Sequence, residues 1–148
     1  MVTIDHLDHL VLTVADIDET IAFYSRVLGM TAVTFAGGRR ALAFGPQKIN
    51  LHLAGHEFSP CARRPTPGAA DFCLITKMPL DAAMAYVQSC GVTIEQGPVD
   101  RTGAIGPLKS FYFRDPDGNL IEVSNQLVRV EASSVNEPND TPAQLKGL

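Results

Sequence analysis

The chain has 148 residues, 45% of them hydrophobic and 19% charged, with a net charge of −4, which suits one globular core or two small modules sharing one. The acidic balance argues against a nucleic-acid surface, which needs a basic stripe. Apolar runs are too short to span a bilayer and the start, MVTIDHLDH, has no basic region followed by an apolar stretch, so no membrane partner and a cytoplasmic location are expected.

In chain order, residues 4 to 14 read as a strand with Leu7, His9, Val11 and Thr13 on one face and Leu10, Leu12 and Val14 on the other. Asp16 then reads as an N-cap, and residues 17 to 28 carry Ile17, Ile21, Tyr24 and Leu28 at helical spacing up to Gly29, an αL stop. Residues 30 to 35 and 39 to 45 flank Gly37-Gly38 as a hairpin. In residues 48 to 53, Ile49, Leu51 and Leu53 form an apolar face, leaving Lys48, Asn50 and His52 on the other. The result is a β-α-β-β-β module over residues 1–54, followed by a Pro- and Gly-rich linker over residues 55–69. Cys61, Cys73 and Cys90 are odd in number and form no C-x-x-C pair, so each reads as a small buried hydrophobe rather than part of a disulfide framework or zinc knuckle.

After the linker the module repeats. Sliding the chain by 62 positions lays Leu12 on Leu74, Tyr24 on Tyr86 and Gly29 on Gly91, with a second helix over roughly residues 80 to 90. A shift of 70 lays FGPQKINLHL on RDPDGNLIEV, where the Asp115-Pro116-Asp117-Gly118 turn feeds a last strand. The second module spans residues 70–126, and a polar tail over residues 127–148 is expected to lie outside the core. The fold class expected is α+β, two tandem modules forming one curved mixed sheet, a half-barrel, with the helices on its convex face.

The same shifts pair His9 with Asp71 and His52 with Glu122. Taken singly, a His in an apolar strand is more often a hydrogen-bonded structural residue, and Asp71 could merely begin its strand. Together, the four fall at equivalent points of two copies of one unit and would meet on the concave face. Two imidazoles and two carboxylates suit one divalent ion, Mn²⁺, Fe²⁺, Ni²⁺, Co²⁺ or Zn²⁺, leaving open positions for catalysis. Arg101 and Lys109, in the Gly-rich segment RTGAIGPLK, could meet anionic groups of a small-molecule substrate or belong to a solvated turn. His6 and His56 match nothing in the other copy and read as surface residues.

The duplication, with HLVLTVADIDETIAFYSRVLGM at the front and YFRDPDGNLIEVSN at the back, resembles the vicinal oxygen chelate superfamily, which includes glyoxalase I, extradiol dioxygenases, fosfomycin-resistance thiol transferases and bleomycin-resistance proteins. FYSRVLGM, NLH and the last 25 residues of the second module most resemble the subfamily of glyoxalase domain-containing protein 5. The resemblance implies a metal site with His9, His52 and Glu122, and a carboxylate such as Glu122 or Asp71 moving a proton. Asp71 stands where glyoxalase I and extradiol enzymes usually place a His. Little turnover of the glutathione hemithioacetal of methylglyoxal is therefore expected. The reading is a metal-dependent lyase, isomerase or dioxygenase acting on a small vicinal-oxygen substrate. The alternative is a metal-free binding protein of the bleomycin-sequestering kind. Free sheet edges and the habit of similar proteins imply a homodimer.

Overall fold

The computed structural model describes residues 1–128. Its elements run β1 (His9–Val14), α1 (Ile17–Leu28), β2 (Thr31–Phe35), β3 (Arg39–Phe44), β4 (Gln47–Leu53), β5 (Asp71–Ile75), α2 (Leu80–Ser89), β6 (Gln96–Gly103), β7 (Gly106–Arg114) and β8 (Leu120–Gln126). This is the α+β tandem expected. The strands divide into two four-stranded mixed sheets, ordered β1-β4-β3-β2 and β5-β8-β7-β6. In each, the first strand lies parallel to the last. The tail from residue 129 lies outside the described residues. Among those described, no helix is long and apolar enough to cross a membrane.

Helix α1 has the predicted limits. Asp16 accepts the Glu19 amide at 2.9 Å, satisfying one of the helix's orphan donors, and Gly29 ends it at φ 65°. Strand β1 is shorter than expected, starting at His9 rather than residue 4. Its neighbour among the described residues, β4, begins at Gln47, so the described residues upstream of the His9–Lys48 pair join no ladder there. The last tie is the Gln47 side chain, which donates to the Leu7 carbonyl at 2.8 Å. Segment RTGAIGPLK is not a loop before the last hairpin. It is the β6–β7 hairpin, with Arg101 inside β6 and Lys109 inside β7.

Alternation sorts the side chains onto two faces. Leu12, Val14, Ile49, Leu51, Ile121, Val123, Phe111 and Phe113 join Tyr24, Val27, Ala83 and Val87 of the helices in one core drawn from both modules. The opposite face of each sheet lies away from that core and is exposed in part, at Val11 and Ile75, while Ala41, Ser110 and Ser124 on it are buried. Cys73 falls on that face and is exposed, as is Cys61, while Cys90 is half-buried; none is the buried hydrophobe expected. The period-two pattern that buries Phe72 and Leu74 turns Cys73 outward. His6 and His56 are surface residues as read.

One buried polar node joins the modules. Tyr24, fully buried on α1, donates its hydroxyl at 2.8 Å to Asp115 in the turn before β8. The Asn119 side chain reaches the same carboxylate oxygen at 2.8 Å, and the Asp117 and Asn119 amides donate to the other at 3.0 and 2.8 Å. A buried carboxylate is tolerated because every lone-pair direction has a donor. In the other copy, Gly45-Pro46 replace Asp115-Pro116 and offer Tyr86 no acceptor, so its hydroxyl donates to the Arg26 carbonyl at 2.7 Å. An open cavity of about 930 Å³ lies there, lined by Met30, Phe44, Pro46, Leu74, Tyr86 and Phe111 among others. Replacing Tyr24 by Phe is expected to cost about 1–3 kcal/mol, because it leaves a buried charged acceptor short of a donor. Urea unfolding checks this, and a loss below about 0.5 kcal/mol, within the range of an ordinary surface change, would contradict it.

Candidate functional site

The open face of the first sheet presents His9, Val11 and Thr13 from β1 and Lys48, Asn50 and His52 from β4, with His9 beside Lys48 and Thr13 beside His52 across the parallel ladder. The hairpin adds Arg39, Ala41 and Ala43 opposite Phe35, Val33 and Thr31. The His9 ring bonds the Asp8 carboxylate through Nδ1 at 2.7 Å, which leaves Nε2 as its available nitrogen and holds the Asp8 carboxyl below its ordinary range. His52 is only 8% exposed, and its ring packs edge-on against Phe58 of the linker at 5.6 Å. His52 Nδ1 and Asn50 Oδ1 are both buried without a hydrogen-bond partner among the described residues. Such atoms cost about 1–3 kcal/mol each unless something outside the chain satisfies them.

The second sheet carries a different set. Glu122 on β8 lies between Cys73 of β5 and Tyr112 of β7, with Asp71 one step away on the same face as Cys73. Ser124 donates to Glu122 at 3.2 Å and is bridged to Ser110 at 2.7 Å and to Cys73 Sγ at 3.2 Å. Burial, reinforced by the Glu122 charge, pushes the Cys73 thiol up. Tyr112 accepts from Arg101 Nε at 2.8 Å, and burial, with Glu122 beside it, keeps the phenol above its ordinary range despite that guanidinium. The Tyr112 proton is thus held, on the side of its oxygen that faces Glu122.

Arg101 therefore belongs to the Glu122 face through Tyr112. Lys109 does not. It alternates with Tyr112 and Ser110, faces the other side of β7, and pairs with Asp100 at 2.9 Å. Among the described residues, no three His, Cys, Asp or Glu side chains converge closely enough to hold one ion. His9, His52, Asp71 and Glu122 do not form such a group within the described residues of one chain. The modules share the helix-covered core, and no strand ladder joins their sheets, so each open face carries half of the set. None of the four lines the 930 Å³ cavity.

Tyr112, Arg39 and Phe58 escaped the sequence reading. Tyr112 is visible only once the β7–β8 register is known, Arg39 only with the hairpin's register, and Phe58 lies in a linker without pattern.

Comparison with known proteins agrees with this architecture. Residues 6–123 match the family model of the Glyoxalase/Bleomycin resistance protein/Dioxygenase superfamily. The chain is 58% identical over 124 residues to virulence protein STM3117 of Salmonella typhimurium, covering 84% of this chain and 86% of that one. It is 53% identical over 119 residues to glyoxalase domain-containing protein RDO1 of Mycosarcoma maydis, covering 80% and 67%. An integron cassette protein from the mobile metagenome of V. cholerae superposes with a TM-score of 0.84 at 61% identity, covering 86% of this chain and 99% of that one. With a match over most of its length and a shared pair of β-α-β-β-β modules, the chain belongs to the glyoxalase/bleomycin resistance protein/dioxygenase superfamily.

Proposed function

We propose that this protein is a metal-dependent enzyme, of lyase, isomerase or dioxygenase type, acting on a small substrate with two neighbouring oxygens. It works as a homodimer in which each cleft combines the first open face of one chain with the second open face of the other. The observation that carries this reading is His52, buried with a ring nitrogen that has no partner among the described residues, on the sheet face turned away from the core. A metal-free sequestering groove would leave that atom and Asn50 Oδ1 unsatisfied for nothing.

His9 and His52 would supply two nitrogens, and Asp71 and Glu122 of the partner subunit two carboxylates, a mixed donor set suited to a divalent ion such as Mn²⁺, Fe²⁺, Ni²⁺, Co²⁺ or Zn²⁺. Such an ion, when bound, polarises adjacent substrate oxygens as a Lewis acid. The chain's own groups do the rest. Asp8 fixes the His9 ring and its tautomer by taking Nδ1, the usual device for orienting a ligating imidazole. Glu122 is the group to accept a proton from the substrate carbon, being a carboxylate that receives the Ser124 hydroxyl at 3.2 Å with Cys73 and Tyr112 on either side of it. Tyr112, held at its oxygen by Arg101, keeps its proton for a substrate oxygen next to Glu122. Exposed Val11 and Ile75, on the free edges of the two sheets, give the dimer an apolar seam.

Titration with Mn²⁺ is expected to give one ion per chain, and Glu122→Gln should weaken binding by more than about 100-fold, exceeding the loss typical of an outer-shell change, while its melting stays near that of the wild type. An unchanged Glu122→Gln variant would refute the site. Sedimentation should show a species near twice 15.9 kDa at micromolar concentration, and a monomer that still binds the ion would refute the shared cleft.

The Asp71 carboxylate makes the donor set harder and more negative than one with a third imidazole, which blunts the ion's acidity. The glutathione hemithioacetal of methylglyoxal should therefore turn over poorly. Thioester absorbance with Mn²⁺, Ni²⁺, Co²⁺ and Zn²⁺ in turn measures this, and a kcat/KM above about 10⁴ M⁻¹s⁻¹, the range of enzymes on their own substrates, would contradict it.

A further inference from the structure

Most basic side chains tied into the described fold by side-chain contacts have an acid or a carbonyl to meet. Arg40 faces Asp18 at 3.4 Å, Lys109 faces Asp100 at 2.9 Å, Arg114 faces Glu95 at 2.7 Å, and Arg26 donates to the Cys90 carbonyl at 2.6 Å. Arg39 and Lys48 do not follow this rule. Both lie on the open face of the first sheet, and among the described residues neither makes a hydrogen bond or ion pair to a carboxylate. Each is parked on an aromatic ring instead, the Arg39 guanidinium 4.6 Å from the Phe58 centroid and the Lys48 ammonium 3.9 Å from that of Phe35.

Their positions track the two histidines. Lys48 sits beside His9 across the β1–β4 ladder, and Arg39 shares Phe58 with His52, whose ring packs on it at 5.6 Å. A ring attracts a cation without neutralising it, so the side chain is held in place with its charge still available. Asp8, the acid nearest to Lys48 on this face, is exposed and committed to the His9 ring, and Glu57, in the linker near His52, is turned onto the Gly55 amide at 2.9 Å. Two oriented cations, with no ion pair among the described residues and only the exposed, already hydrogen-bonded Asp8 acting on Lys48, call for an anion on the ligand beside a proposed metal site.

We infer that Arg39 and Lys48 form an anion clamp, and that the substrate is a compact dianionic 2-hydroxy or 2-oxo acid. Its first carboxylate and the adjacent oxygen would be the vicinal pair offered to an ion held by the proposed ligands, and its second anionic group would lie against Arg39 and Lys48. This rests on the metal-site reading given above and adds the substrate class to it. A second anion distinguishes the clamp from the metal's own demand, because any 2-hydroxy acid satisfies the metal but only a dianion uses the clamp.

The test is calorimetric titration of the Mn²⁺-loaded dimer with L-malate, 2-oxoglutarate and 3-phosphoglycerate, against lactate and pyruvate, which lack the second anion. At least one dianion should bind about tenfold or more tighter than both monoanions, the gain expected of one charge-assisted contact. Lys48→Met and Arg39→Gln should each remove about that factor for the dianion and leave lactate unchanged. Lys48→Arg, which keeps the charge, should restore most of it. Mn²⁺ titrated alone separates the two ideas. If the ion binds normally but monoanions match every dianion, or if both charge-removing variants bind the best dianion like wild type while melting normally, the clamp is refuted. If Mn²⁺ does not bind at all, the metal site itself fails.

Discussion

The Asp115 carboxylate is the constraint on which the architecture hangs. It is buried, and it is bearable there only because four donors surround it, one of them the phenol of Tyr24 in the other module. Asn119 extends the same node, accepting the Ala70 amide at 2.8 Å while the Leu120 amide reaches the Ala70 carbonyl at 3.0 Å. Those bonds fix where β5 begins against β8. Since a one-residue slip would move every side chain to the opposite face, the node also determines that Asp71, Cys73 and Glu122 share the open face. One buried carboxylate thus joins the modules and fixes which side chains of β5 and β8 share a face.

A division of labour follows. The first sheet offers imidazoles and cations, and the second offers carboxylates with Tyr112 and Arg101. Among the described residues neither face gathers three His, Cys, Asp or Glu side chains around one point, and the core drawn from both modules lies between the two sets. Duplication of one unit explains how both halves arose at equivalent strand positions. Divergence explains the rest, as with Gly45-Pro46 in place of the Asp115-Pro116 turn, which leaves Tyr86 to seek its acceptor on α1.

Much of this was legible in the chain. Helix α1 announces itself through Asp16, its apolar period and Gly29, because local chemistry alone decides those features. Repeat shifts placed His9, His52, Asp71 and Glu122 in the first and last strands of the two modules, where the structure has them, since duplication preserves strand position. The shifts could not say whether equivalent positions meet within one chain or between two, because that depends on how the modules pack, and the packing is decided by buried contacts far apart in sequence, such as Tyr24 with Asp115. Lys109 was misjudged for a related reason. Its segment reads as a Gly-rich loop, whereas the β6–β7 pairing makes it a hairpin and turns Lys109 to Asp100. Cys73 was taken as core because cysteine is small and apolar, although the alternation with Phe72 and Leu74 already implied the other face.

The central claim is that each cleft draws its ligands from two chains. It is tested most directly by mixing His52→Ala protein with Glu122→Gln protein, exchanging subunits by mild denaturation and refolding, and counting tightly bound Mn²⁺ in the isolated mixed dimer. In that dimer one cleft carries both defects and the other carries neither. A shared site predicts one ion per mixed dimer although neither parent holds any. A site built within one chain predicts none, and that result would contradict the account.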